Sequence, residues 1–126
     1  MAAEVTELDL VVSAVCSLAD DYRTFGNRTA VELVRRSGYI ARRSDVTVDR
    51  LAECLAANPR FVRAWFAWSD DTRANAHWYV RECGPASFEV GFLDGVGIRS
   101  VVTFDDEVRA CAEFVHRVVA DLANMA

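Results

Sequence analysis

The chain has no lysine, only two prolines and six glycines in 126 residues, and no apolar run near the ~20 residues that cross a bilayer. The missing run excludes a membrane-spanning helix. No internal repeat, linker or low-complexity stretch interrupts the sequence, and hydrophobic residues make up 52% of it. That is enough apolar surface to offset the entropy of ordering the chain, which excludes disorder. The length supports one globular domain over residues 1–126, and such a domain hides about two thirds of its unfolded surface. Met-Ala-Ala-Glu-Val-Thr-Glu at the start lacks the basic opening and apolar core of a secretory signal, so a cytoplasmic protein is expected. All fourteen basic residues are arginine. In an alanine- and valine-rich chain that is a matter of composition and assigns no function.

Cysteine pairing is also missing. Cys16, Cys54, Cys83 and Cys111 are far apart and form no C-x-x-C, so reduced, buried thiols are the expectation. His77 and His116 are the only histidines, and no local ligand pair has zinc-site spacing, so no metal or other cofactor is expected. Charge is present but uneven. Residues 1–22 carry five acids and no base, residues 23–63 carry nine arginines against four acids, and residues 64–126 carry five arginines against ten acids. The net charge of −5 makes a poor general nucleic-acid binder, because phosphate repels most of the surface. It suits a basic protein partner, since opposite fields speed encounter.

Hydrophobic periodicity gives an α+β fold class: N-terminal helices, a three-stranded antiparallel β-meander and a C-terminal helix packed on it. Thr6-x-x-Asp9 caps an amphipathic helix whose apolar positions run Leu8, Val11, Val12, Val15, Leu18, Ala19 and Tyr22. Arg23 to Arg28 read as a loop. Thr29-x-x-Glu32 opens a short helix through Arg36 that Gly38 stops, and Tyr39 to Asp45 look irregular and basic. Thr47 or Asp45 caps a helix bearing Val48, Leu51, Ala52 and Leu55. It ends at Asn58-Pro59, where Asn58 is placed to cap the next helix. That helix carries Val62, Trp65 and Phe66 on one face and breaks in a polar turn, Ser69-Asp70-Asp71-Thr72-Arg73. Strands follow at Ala76 to Cys83, through Phe88, Val90 and Phe92, and at Ile98 to Phe104. The middle strand alternates with Ser87, Glu89 and Gly91, so one of its faces should be wet. Asp105-Asp106-Glu107 place negative charge at the start of the last helix.

No constellation in the chain supports catalysis. G-x-S-x-G, a phosphate-cradling glycine loop and H-E-x-x-H are all missing. Cys111 and His116 point about 140° apart on a helix, and His77 and Cys83 lie close to 20 Å apart along a strand. Helix capping and solvation account for Asp20-Asp21 and Asp105-Asp106. A non-enzyme is expected. The arginine-rich 23–63 segment is the alternative, as a small nucleic-acid-binding or regulatory surface, but Gly38 to Thr47 is too long a link for a helix-turn-helix. A solvated arginine face is the plainer reading.

The aromatic region says more. Trp65, Trp68 and Trp78 fall within fourteen residues, with Phe61, Phe66 and Tyr79 among them, around Asp70-Asp71. Trp65 and Phe66 belong to the core, whereas Trp68 lies off the main stripe beside the acids, where tryptophan favours interface hot spots.

Trp65-Phe66-Ala67-Trp68-Ser69-Asp70-Asp71-Thr72-Arg73, then Trp78-Tyr79, a paired strand region, and Phe104-Asp105-Asp106 followed by Ala110-Cys111-Ala112-Glu113-Phe114-Val115 carry a resemblance. Over about residues 47–120 the chain is similar to immunity proteins of polymorphic bacterial toxin systems, including those of contact-dependent growth inhibition. The resemblance implies a non-catalytic inhibitor that binds a cognate toxin C-terminal domain, commonly a basic nuclease, and blocks its active site or substrate path. The residues expected to meet that partner are Trp68, Asp70, Asp71, Asp94, Asp105, Asp106 and Glu107.

Overall fold

The computed structural model describes residues 6–26, 28–72 and 76–126. Threonine caps start the first half, as their spacing predicts. Thr6 accepts the Asp9 N–H at 3.1 Å while the Asp9 carboxylate receives the Thr6 N–H at 3.0 Å, a reciprocal cap that opens α1 (Glu7–Cys16). The single long helix expected there is two. Ser17 bonds through its hydroxyl to the Ala14 carbonyl and the Asp21 carboxylate, interrupting the run, and α2 (Leu18–Phe25) restarts at once. It continues through Arg23, Thr24 and Phe25, three residues that the sequence assigns to a loop.

Thr29 accepts the Glu32 N–H and opens α3 (Ala30–Ser37). Gly38 ends it with φ +85°, and a Cβ there would come within 3.0 Å of the Val11 side chain. The segment after it is helical rather than irregular. The Tyr39 N–H donates to the Ser37 hydroxyl, the Tyr39 ring is buried, and α4 (Tyr39–Arg42) leads into one 3-10 turn, Arg43–Asp45. Thr47 then caps α5 (Val48–Ala57). Asn58 does not cap the next helix: its amide donates backwards to the Cys54 carbonyl at 2.8 Å and so closes α5. Pro59 begins α6 (Pro59–Asp71).

The three strands are β1 (His77–Gly84), β2 (Ser87–Leu93) and β3 (Ile98–Phe104), antiparallel in the order β1-β2-β3. Asp106 accepts the Val108 N–H and starts α7 (Glu107–Asn124). The fold is α+β, with the meander and the C-terminal helix in the expected places.

α7 is the hub. It packs on all three strands and also against α5, α3 and α6. Eight of its residues are buried, including both Cys111 and Ala112, because the sheet lies on one side and the N-terminal helices on the other. Trp65 and Phe114 meet edge to face at 6.0 Å where α6 crosses this core, and the Trp65 indole donates to the Cys16 carbonyl at 2.8 Å. A buried indole N–H needs such a partner.

The expected wet face of β2 is closed. Glu89 and Gly91 are both buried. Tyr79 pairs opposite Gly91 and lies over it, and the Tyr79 hydroxyl donates to Glu89 at 3.0 Å. Arg81, directly opposite Glu89, donates to the same carboxylate at 2.6 Å and stacks over the Tyr79 ring. The Tyr79, Arg81 and Glu89 side chains pack on one another across this face. Burial, and next the Glu89 carboxylate, push the Tyr79 hydroxyl above its ordinary pKa.

Candidate functional site

The helix α6 runs past the residues expected to break it. Ser69 is buried, and its hydroxyl accepts the Val80 N–H at 3.0 Å and donates to the Val80 carbonyl at 3.1 Å. Both backbone groups of Val80 point away from β2, so Ser69 seals the open edge of β1. This anchor keeps the chain helical through Asp71, and the polar turn is moved to Thr72. The Thr72 hydroxyl donates to the Trp68 carbonyl at 2.7 Å and its N–H to the Ser69 carbonyl, satisfying the helix end.

Asp70 and Asp71 therefore occupy the last turn of a helix, where the carbonyl dipoles already concentrate negative potential. Both are exposed, and no cation pairs with either among the described residues. Beside them Trp68 is half-buried. It stacks on Trp65 at 5.3 Å and meets the Tyr22 ring edge-on at 5.1 Å, and Tyr22 itself is 43% exposed.

Between α2, the start of α3 and the end of α6 lies a mainly apolar groove of about 270 Å³. Tyr22 and Trp68 line it with Ala19 and Ala30, and Arg23 and Asp71 are the charged residues of its lining. Tyr22, Arg23 and Ala30 are not among the residues expected from sequence to meet a partner. Helical spacing puts Tyr22 on the buried face of its helix, and only the docking of α2 on α6 turns it toward Trp68.

The seven expected partner-binding residues fall in three places. Trp68, Asp70 and Asp71 come together at the end of α6. Asp94 lies in the β2–β3 turn, where its carboxylate accepts the N–H groups of Val96 and Gly97 at 2.9 Å each and pairs with Arg99. Those two backbone donors, with Arg99 in support, hold the Asp94 carboxyl below its ordinary pKa. Asp105, Asp106 and Glu107 lie at the other end of β3, seven residues or about 20 Å away along the strand. Asp106 is committed to capping α7, while Asp105 and Glu107 are exposed. Asp94 and the 105–107 cluster thus stand at opposite ends of the sheet and do not form one site.

The basic 23–63 segment is partly neutralised by the fold. Arg28 and Arg36 pair with Glu32, Arg42 with Glu7 and Asp45, and Arg60 with Asp20. Arg43 stacks over the Tyr39 ring.

The cysteines differ from the uniformly buried set expected. Cys16 and Cys111 are sealed, Cys54 is half-buried and Cys83 is exposed. Among the described residues, no group of three or more His, Cys, Asp or Glu side chains is placed to hold a metal ion. No helix there is long and apolar enough to cross a membrane. The chain matches no family model, no curated protein and no solved structure.

Proposed function

We propose that the protein is a non-catalytic inhibitor of the immunity type, which binds a basic toxin domain through the groove at the end of α6. The observation that carries this reading is the placement of Asp70 and Asp71. A helix gains from acids at its start and loses from acids at its end, so two in the last turn are a local cost to the fold. Local rules are broken at functional sites, and the cost is offset elsewhere in the fold. The half-buried Trp68 and the exposed Tyr22 lie beside them, and aromatic anchors ringed by charge make interface hot spots.

The chemistry fits a basic side chain of the partner. Its aliphatic stem would lie against Tyr22 and Trp68, and its cation would meet Asp71, with Asp70 adding to the field. An inhibitor built this way occludes a nuclease cleft by engaging the cations that otherwise hold phosphate. Asp105 and Glu107 are exposed acids at a separate place in the fold, while Asp94 and Asp106 act mainly on the fold.

The test is affinity capture from the native host at about 0.15 M and about 0.5 M salt, across which surface charge pairs are progressively screened. The expected result is one stoichiometric companion retained at both, identified as the toxic end of a larger protein. A companion that is nucleic acid and leaves at the higher salt would overturn the reading in favour of the arginine-rich segment.

A further inference from the structure

Among the described strands, β3 has the least cover. In the order β1-β2-β3 it pairs only with β2, so its outer edge is open. Every residue from Ile98 to Thr103 is exposed. Val101 and Val102 are neighbours that point to opposite faces of the strand, and they are 46% and 45% exposed. Val102 stands opposite Val90, which is buried in the core, so the sheet extends past its cover at this strand.

The two edges of the sheet differ. On β1 the Ser69 hydroxyl takes up both outward backbone groups of Val80. Edge strands are commonly blunted by proline or charge. Between Ile98 and Phe104 there is no proline and no acid, and the single charge, Arg99, is paired with Asp94. A bulge at Ser100, with φ +56°, interrupts the strand near its start. Beyond it Val101, Val102 and Thr103 form a run of β-branched residues suited to further pairing.

We propose that β3 pairs antiparallel with β3 of a second copy of this chain, so that two meanders become one continuous sheet. Charge selects this occupant and this sense. Arg99 lies near the start of β3, and Asp105 and Glu107 lie just past its end. Both acids are exposed, and neither pairs with a cation among the described residues. Antiparallel pairing centred on Thr103 sets Val102 of one copy against Phe104 of the other. It also brings Arg99 of each copy to the acids of the other, a contact that two-fold symmetry makes twice. Parallel pairing would set arginine beside arginine and acid beside acid. Because Ser69 occupies the β1 edge, a two-fold pair uses up the open edge and the assembly stops at two. α6 packs at the β1 edge, so the groove at its end stays free in the pair.

The experiment weighs the full chain by sedimentation equilibrium from micromolar to near-millimolar concentration. The expected mass is twice the 14.0 kDa of one chain, falling to one chain only on dilution. Val101→Lys with Val102→Lys places like charges at the contact and should leave a monomer with unchanged circular dichroism. Both side chains are already exposed, so their replacement uncovers no core. If that variant fails to fold, Asp105→Arg supplies the second reading. It turns two attractive contacts repulsive and should weaken the pair about tenfold, and adding Arg99→Glu should restore it. A monomer at every concentration, or a dimer that the folded lysine variant leaves intact, would overturn the proposal. So would a foreign companion that the parent binds and the lysine variant loses, because β3 would then take a strand from another protein. Partner binding by the groove is read separately: Asp70→Arg with Asp71→Arg should leave the dimer intact.

Discussion

At the residue scale, single side chains hold contacts that no stretch of sequence displays. Ser69 satisfies both backbone groups of Val80 from inside the core. Ser69→Ala leaves a buried strand N–H and carbonyl without partners and is expected to cost about 1–3 kcal/mol in urea unfolding. A change within a few tenths would mean that water replaces the hydroxyl. Asp94 gives a pH signature instead. Its carboxyl is held below the ordinary 3.8 by the Val96 and Gly97 N–H groups, so its stabilisation is complete above that value and is lost as pH falls through the lower, folded one. Asp94→Ala should therefore be less stable than the parent at neutral pH, and the gap should close progressively below pH 3.8. Parallel stability curves across that window would remove the carboxylate from the account of the turn.

Among elements, local signals were legible and tertiary ones were not. Caps at Thr6, Thr29 and Thr47 could be read because donor and acceptor lie three residues apart. The strands were legible from alternation and the Gly84-Pro85 and Asp94-to-Gly97 turns. The end of α6 was misplaced because Ser69-Asp70-Asp71 is a turn by composition, and the Val80 contact that keeps it helical arrives from a strand eleven residues away. Gly91 likewise reads as a solvent-facing strand residue until Tyr79 is laid over it. A Cβ at Gly91 would stand 2.6 Å from the Tyr79 oxygen. Gly91→Ala should destabilise by about 1–3 kcal/mol, the usual cost of overpacking. Truncating the ring as well, in a Tyr79→Ala background, should shrink that increment, which a double-mutant cycle measures directly. Asp70 and Asp71 predict the opposite sign. Reversing both to arginine puts cations at the end of α6 and should raise stability by about 1 kcal/mol. A marked loss in thermal unfolding would show that the acids are structural.

For the whole molecule, sequence showed the acidic total, the basic middle and the aromatic cluster, and placed Trp68, Asp70 and Asp71 near one another on the chain. The groove itself was not legible, since it exists only where α2 meets α6 and brings Tyr22 and Arg23 to Trp68 and Asp71. Nor was the separation of the acids: Asp94 and Asp105 are eleven residues apart but stand at opposite ends of a strand. The central claim is that the acids ending α6 neutralise a basic toxin domain. Its most direct measurement is growth rescue. The companion captured from the host is expressed alone in bacterial cells, then together with the parent chain or the Asp70→Arg, Asp71→Arg variant. The account predicts arrest by the companion alone, full growth with the parent, and arrest again with the folded variant. A variant that protects as well as the parent, or a companion that never arrests growth, would contradict it.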